Sequence, residues 1–147
     1  PIDTDVVKAT LRDQGMSVDD IESGDVILTY TGWADANYEG GDSSFYYSRE
    51  PGLTLDTVIN IFGPKGVVML GADNFGVEFV KFDEIMSIPI HIHWVVCNGG
   101  FLYENMKLIE WTMDARNGDS PYIGAFYYTS AQIKGGVGGL GTPIVIV

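Results

Sequence analysis

Gly66-Val67-Val68-Met69-Leu70-Gly71-Ala72-Asp73-Asn74 (GVVMLGADN) is the stretch on which the reading of the fold turns. Val67 to Leu70 is an unbroken apolar run between two glycines, with no alternation of polar and apolar positions. A strand exposed on one face alternates; a run without alternation suits a strand covered on both faces, as in the parallel sheets of α/β proteins. Ala72-Asp73-Asn74 follows at its C-terminal end, where α/β folds collect polar functional groups. Asp73 suits a place in a site and equally a cap on the next turn.

On the N-terminal side, Leu53 to Phe62 reads as a helix with Leu55, Val58, Ile59 and Phe62 on one face, closed by Gly63-Pro64. Ala34 to Pro51 has no period and is rich in Gly, Ser, Asp and Tyr; a loop this long is often a binding loop. Its aromatics Tyr38, Phe45, Tyr46 and Tyr47 can line a pocket or pin the loop to the core. Val26 to Tyr30 (VILTY) is a strand by its β-branched and aromatic content, running into Thr31-Gly32-Trp33. Asp3 to Gln14 reads as a helix that Asp3 or Thr4 caps and Gly15 stops, and Ser17 to Glu22 as a short helical turn.

On the C-terminal side, Phe75 to Pro89 shows no clear pattern. His91 to Cys97 can be helical, Asn98-Gly99-Gly100 turns, and Phe101 to Tyr103 is strand-like. Met106 to Ala115 reads as a helix and Ile123 to Thr129 as a strand. Gly135 to Gly141 is a glycine-rich loop, and Pro143 to Val147 (PIVIV) reads as a buried strand. Helices alternate with strands, so the class is α/β, with a mixed β-sheet or barrel-like core and surrounding helices. No repeat or low-complexity linker divides the 147 residues, which are enough for a single domain with its own core.

The net charge of −12, from 20 acidic and 8 basic residues, argues against nucleic-acid and anionic-membrane partners, which require clustered Lys and Arg. One cysteine, Cys97, permits no internal disulfide, which is compatible with a reducing compartment. No apolar run approaches the ~20 residues that span a bilayer, and no signal peptide is visible. The expectation is a soluble protein, cytoplasmic rather than secreted.

Both histidines, His91 and His93, open the segment His91 to Asn105, HIHWVVCNGGFLYEN, and Glu104 closes it beyond an Asn-Gly-Gly turn. Imidazole and carboxylate are ligands that borderline divalent ions prefer. The ordinary alternative is a structural role for all three. Gly136 to Gly141 matches GxGxxG formally, but Thr142-Pro143 and an apolar tail follow where a dinucleotide site needs a helix. Cys97, flanked by Val95, Val96 and Asn98, reads as a small buried residue rather than a nucleophile. No GxSxG elbow occurs.

Five blocks, in order, resemble the cyclase family, which includes bacterial kynurenine formamidase and isatin hydrolase. Ile21 to Trp33 (IESGDVILTYTGW) resembles GD-x-VLIRTGW; Glu50-Pro51-Gly52-Leu53 resembles xPGL; Val67 to Asp73 resembles GVxxIGxD. His91 to Asn105 resembles H…LL…NGIYxxEN, and Gly138 to Val147 (GGLGTPIVIV) resembles GxGSPVRPIAI. The resemblance implies a metal-dependent hydrolase of cyclic or formyl amides, or a related lactone, using Zn²⁺ or Mn²⁺. It places His91 and Glu104 at the family's metal-site positions, with Glu104 a metal ligand or a proton shuttle. His93 falls where the family has no fixed residue and is expected in a supporting or packing role. Gly32, Trp33, Tyr46 and His93 are expected at the substrate pocket, with the Ala34–Pro51 loop over it. The family's upstream motif HxGTHxDxP has no counterpart in the chain, and two ligands cannot hold a catalytic ion, which needs about three from protein. Together with the start at Pro1, this leads to the expectation of a cyclase-like domain incomplete on its N-terminal side. Its remaining ligands would then come from a second polypeptide or a neighbouring protomer in a homo- or hetero-oligomer. The alternative is a non-catalytic binding or structural protein on the same scaffold.

Overall fold

A parallel three-stranded sheet in the order β1-β2-β3 forms around the apolar run. The computed structural model describes residues 1–38, 43–81, 87–131 and 133–147. β2 (Met69–Ala72) is central and buried at every position. β1 (Val26–Thr29) pairs with it in the register Val26 to Met69, and β3 (Phe101–Tyr103) in the register Met69 to Phe101. The sheet admits little at Gly71, where a Cβ would meet Leu28 Cδ2 and Met106 Sδ at 2.7 Å. Helices therefore alternate with a mixed set of strands, as the α/β pattern requires. Among the described residues no closed barrel forms: the remaining strands make a separate antiparallel pair.

The chain divides into two units, Pro1–Glu110 and Trp111–Val147. The first contains the parallel sheet and a core of Ile21, Leu53, Val58, Ile61, Phe62, Val67, Leu70, Ala72, Val77, Ile90 and Trp94. Helix α1 (Thr4–Asp13) starts on Asp3, whose carboxylate accepts from the Asp5 and Val6 amides. This satisfies two N–H groups that have no partner within the helix. The segment expected as an aperiodic loop contains two short helices, α2 (Trp33–Asn37) and α3 (Ser43–Tyr46); residues 39–42 of it lie outside the described residues.

The next helix does not close at Gly63-Pro64. Its first turn, α4 (Leu55–Thr57), widens into a π-helical turn (Val58–Phe62), and α5 (Gly63–Lys65) follows with Pro64 in its first turn. Proline is tolerated there because the N–H it lacks has no intrahelical partner. Gly66, at φ 73°, ends the run. A second π-helical segment, His91–Cys97, precedes β3. The helix expected from Met106 begins only at Ile109 (α6, Ile109–Asn117), because the Met106 amide bonds the Ala72 carbonyl and keeps the chain extended beside β2.

In the second unit, β4 (Ala125–Ser130) and β5 (Gly141–Ile146) pair antiparallel, Ala125 opposite Ile146. Gly141, the last glycine of the formal GxGxxG, opens β5, so a strand rather than a helix follows the motif. The terminal strand alternates half-buried and exposed positions, with Ile144 and Ile146 exposed, and is not the buried strand that PIVIV suggests.

Candidate functional site

The polar residues of the first unit gather at the C-terminal end of the parallel sheet. Asp73, directly after β2, is buried, and its Oδ1 accepts from both the Thr31 amide and the Thr31 hydroxyl at 2.7 Å. It thereby ties the end of β1 to the end of β2, and its Oδ2 is buried without a partner among the described residues. Asn74, also buried, accepts from the Val77 amide through Oδ1 and donates through Nδ2 to the Pro51 carbonyl. The loop after β2 is thus wound back on itself. Glu50, only 2% exposed, accepts from the Phe75 amide at 2.8 Å, while its Oε1 has no partner of good geometry among the described residues. Burial raises the Glu50 carboxyl to about 8; the Phe75 and Gly76 amides oppose the rise, and the charges of Glu104 and Glu78 add to it.

His91 stands at the first position of the π-helical segment, with both ring nitrogens bonded. Nδ1 lies 2.6 Å from Glu78 Oε1 and Nε2 lies 2.9 Å from Glu104 Oε1. Glu104 follows β3, so the Asn98–Gly100 turn returns the chain to bring it opposite His91. Gly100 allows that return, because a Cβ there would collide with the Trp94 ring. Hydrogen bonding to Glu104, then to Glu78, raises the His91 imidazole to about 9 against the opposing effect of burial. The bonds at both nitrogens favour the imidazolium form of the ring.

Of the residues expected from sequence, His91, Glu104 and Tyr46 come to one place. Tyr46 is buried and donates from its hydroxyl to Asn105 Oδ1 at 2.8 Å, the side chain next to Glu104. Burial, and then the Glu50 charge, pushes its phenol up. Trp33 donates its Nε1–H to the Tyr46 carbonyl and stacks on Phe45 and Tyr46. Gly32, at φ 74°, sits beside the Tyr30 ring where the chain turns into α2. Tyr38 and Tyr47 meet the Tyr46 ring edge-on, so the loop aromatics pack on one buried tyrosine while keeping one side exposed. His93 is half-buried on the same helical segment, but Glu78 and Glu104 bond His91 and not His93. Cys97 is exposed, contrary to the sequence expectation; its neighbours Val95 and Val96 face outward too.

Sequence reasoning missed Glu78 and Glu50. Glu78 lies in the stretch without pattern, 13 residues before its partner, and Glu50 is the first residue of the xPGL block. The only available signal was their position beside Gly76 and Gly52, where backbone comes close.

The resemblance to the cyclase family implies a divalent ion held by His91 and Glu104. His91 Nε2 and Glu104 Oε1 are close enough together for two ligands of one ion, yet a bond to each other uses both. Among the described residues no three His, Cys, Asp or Glu side chains are grouped to hold a metal. The described residues therefore do not fit a complete metal site.

The Cyclase family model matches residues 1–79, more than half of the sequence. The chain belongs to the cyclase family. Its fold is similar to that of a crystal structure of a novel cyclase, at a TM-score of 0.80 and 22% identity, over 99% of this chain and 47% of that one. This cyclase-family chain thus spans about half the length of that relative. No curated protein matches it. No helix among the described residues is long and apolar enough to cross a membrane.

Proposed function

We propose that the chain contributes one side of the active site of a hydrolase acting on a cyclic or formyl amide, or a related lactone. The observation that supports this is His91 held at both nitrogens, by buried Glu78 on one side and by half-exposed Glu104 on the other. Amide hydrolysis requires one group to take a proton from water and another to give one to the leaving nitrogen. Glu104, as a carboxylate, accepts; His91, as an imidazolium, donates. Tyr46, with Trp33 stacked on it, lines the substrate pocket beside the pair, Gly32 sets the turn that presents Trp33, and His93 has a supporting or packing role.

A second polypeptide or neighbouring protomer, in a homo- or hetero-oligomer, supplies the remaining groups. A divalent ion, Zn²⁺ or Mn²⁺, would polarise the substrate carbonyl and lower the pKa of water. Within this chain Glu104 is the side chain that would face it as a carboxylate; His91 would face it only as a neutral imidazole, with its Nε2 proton and its bond to Glu104 given up.

The test uses the purified protein with any polypeptide that accompanies it. Divalent metal content and hydrolysis of a formanilide and a cyclic imide are measured before and after chelation. His91→Ala and Glu104→Gln are expected to lower turnover by ~10²–10⁴-fold, the usual worth of a positioned acid or base, and His93→Ala by far less. Full turnover in His91→Ala, or no hydrolysis by metal-loaded protein, overturns the reading. Ligand binding without metal would favour a binding protein on this scaffold.

A further inference from the structure

Glu78 is the least exposed of the carboxylates around His91, at 1%. Its oxygens divide their work: Oε2 accepts from the Ile90 amide at 3.0 Å, and Oε1 from the His91 ring at 2.6 Å, with a longer contact to the His91 amide. One side chain therefore holds both the start of the π-helical segment and the imidazole. Its backbone is fixed with equal care. Gly52 lies flat against the Glu78 carbonyl, so close that no Cβ would fit. The Leu53 amide bonds the Val77 carbonyl, and the Phe79 amide bonds the Leu53 carbonyl, both at 2.9 Å.

The residue before it carries strain. Val77 is β-branched and fully buried, yet sits at φ 63°. Such a conformation persists only where the surroundings over-determine it, and it clusters at functional sites. Here the Asn74 side chain holds the Val77 amide, its Oδ1 accepting at 2.9 Å. The left-handed residue is what turns the chain so that Glu78 points at His91.

The two carboxylates on His91 are unlike. The Glu78 side chain is 2% exposed and that of Glu104 34%. Glu78 is locked, whereas Glu104 is free to exchange its partner for a ligand. We infer that Glu78 is a positioning residue, which keeps a proton on His91 Nδ1 and so presents Nε2 to the open side of the site. A buried acceptor at one imidazole nitrogen fixes the role of the other. The consequence for turnover rests on the proposed function; the positioning itself does not.

With only two histidines in the chain, a ¹⁵N-edited proton spectrum resolves the His91 ring directly once His93→Gln identifies the other. The wild type and Glu104→Ala are expected to show a far-downfield, slowly exchanging Nδ1 proton. In Glu78→Ala that proton should exchange at least ~10-fold faster or disappear, and in Glu78→Gln, whose amide oxygen still accepts, it should persist. In the active preparation Glu78→Ala should lower kcat ~10–100-fold, the range usual for supporting partners of site histidines, with KM little changed and Glu78→Gln partly restoring it. An Nδ1 proton indifferent to Glu78→Ala overturns the inference. So does loss of the fold in both Glu78→Ala and Glu78→Gln, which would make Glu78 structural. An Nδ1 proton that depends on Glu78 in a protein without hydrolase activity upholds the positioning and overturns the proposed function.

Discussion

The two sheets of this chain are built by opposite rules. The central strand of the parallel sheet, β2, is buried at all four positions, and the polar chain that leaves it is buried as well: Asp73, Asn74 and Glu78. The antiparallel pair β4–β5 alternates, with Phe126 opposite Val145 on the half-buried face and Tyr127 opposite Ile144 on the exposed one. All the buried polar or charged residues among those described, Glu50, Thr57, Asp73, Asn74 and Glu78, belong to the first unit. The contrast shows why chemistry gathers at one sheet and not at the other. Removal from water makes a carboxylate expensive unless it is paired or protonated, and so gives it a changed proton affinity. A half-exposed hairpin offers no such environment.

The contrast is tested most strongly by truncating the buried strand. Leu70→Ala is expected to lower unfolding free energy by ~2–5 kcal/mol, the range for a fully buried leucine, measured by urea denaturation. Smaller but more specific is the pH response of the buried carboxyl. Glu50 binds its proton more tightly folded, at about 8, than its ordinary 4.5. Its contribution to stability is therefore present below pH 4.5 and declines as pH rises to about 8. His91, raised from 6.5 to about 9, adds a contribution that is full below 6.5 and lost as pH rises through 9. Stability should fall across this whole alkaline-going range. Glu50→Gln, an uncharged isostere, should flatten the part below pH 6.5, lessen the slope between 6.5 and about 8 where both groups contribute, and leave the part from about 8 to 9, as read from unfolding midpoints at successive pH values. An unchanged slope would show that Glu50 is solvated in solution. The smallest effect is expected on the hairpin: Ile144→Ala, 55% exposed, should change stability by no more than about 0.5 kcal/mol. A cost approaching that of Leu70→Ala would show that the outer face of the hairpin is covered in solution, and the contrast between the sheets would then fail.

Much of the first unit was legible because its signals are local. The run Val67–Leu70 announces β2 to within two residues, and Asp3 announces the start of α1. The Asn98–Gly100 turn drew attention to the segment with both histidines, and the resemblance of its blocks to the cyclase family set His91 and Glu104 apart from His93. Glu78 and Glu50 could not be found in this way, since their roles depend on backbone pairing between residues 50–53 and 77–80 that no period records. Pro64 misled because a π-helical turn ends just before it, leaving it at a helix start where the missing N–H costs nothing. Cys97 misled because valines beside it suggested burial, whereas that face of the helical segment is open to solvent. The β4–β5 strands were located within two residues, but the apolar run PIVIV concealed their alternation.

The π-helical geometry of His91–Cys97 has a consequence for how this region tolerates change in length. Bonds from i to i+5 place more residues in each turn than an α-helix does, so the segment between His91 and Glu104 has slack. Loss of one residue can be absorbed by tightening to α geometry, whereas a gained residue would have to be extruded from a helix already at its widest. Its neighbourhood should therefore accept shortening more readily than lengthening, an asymmetry set by the helix and not by the chemistry it serves.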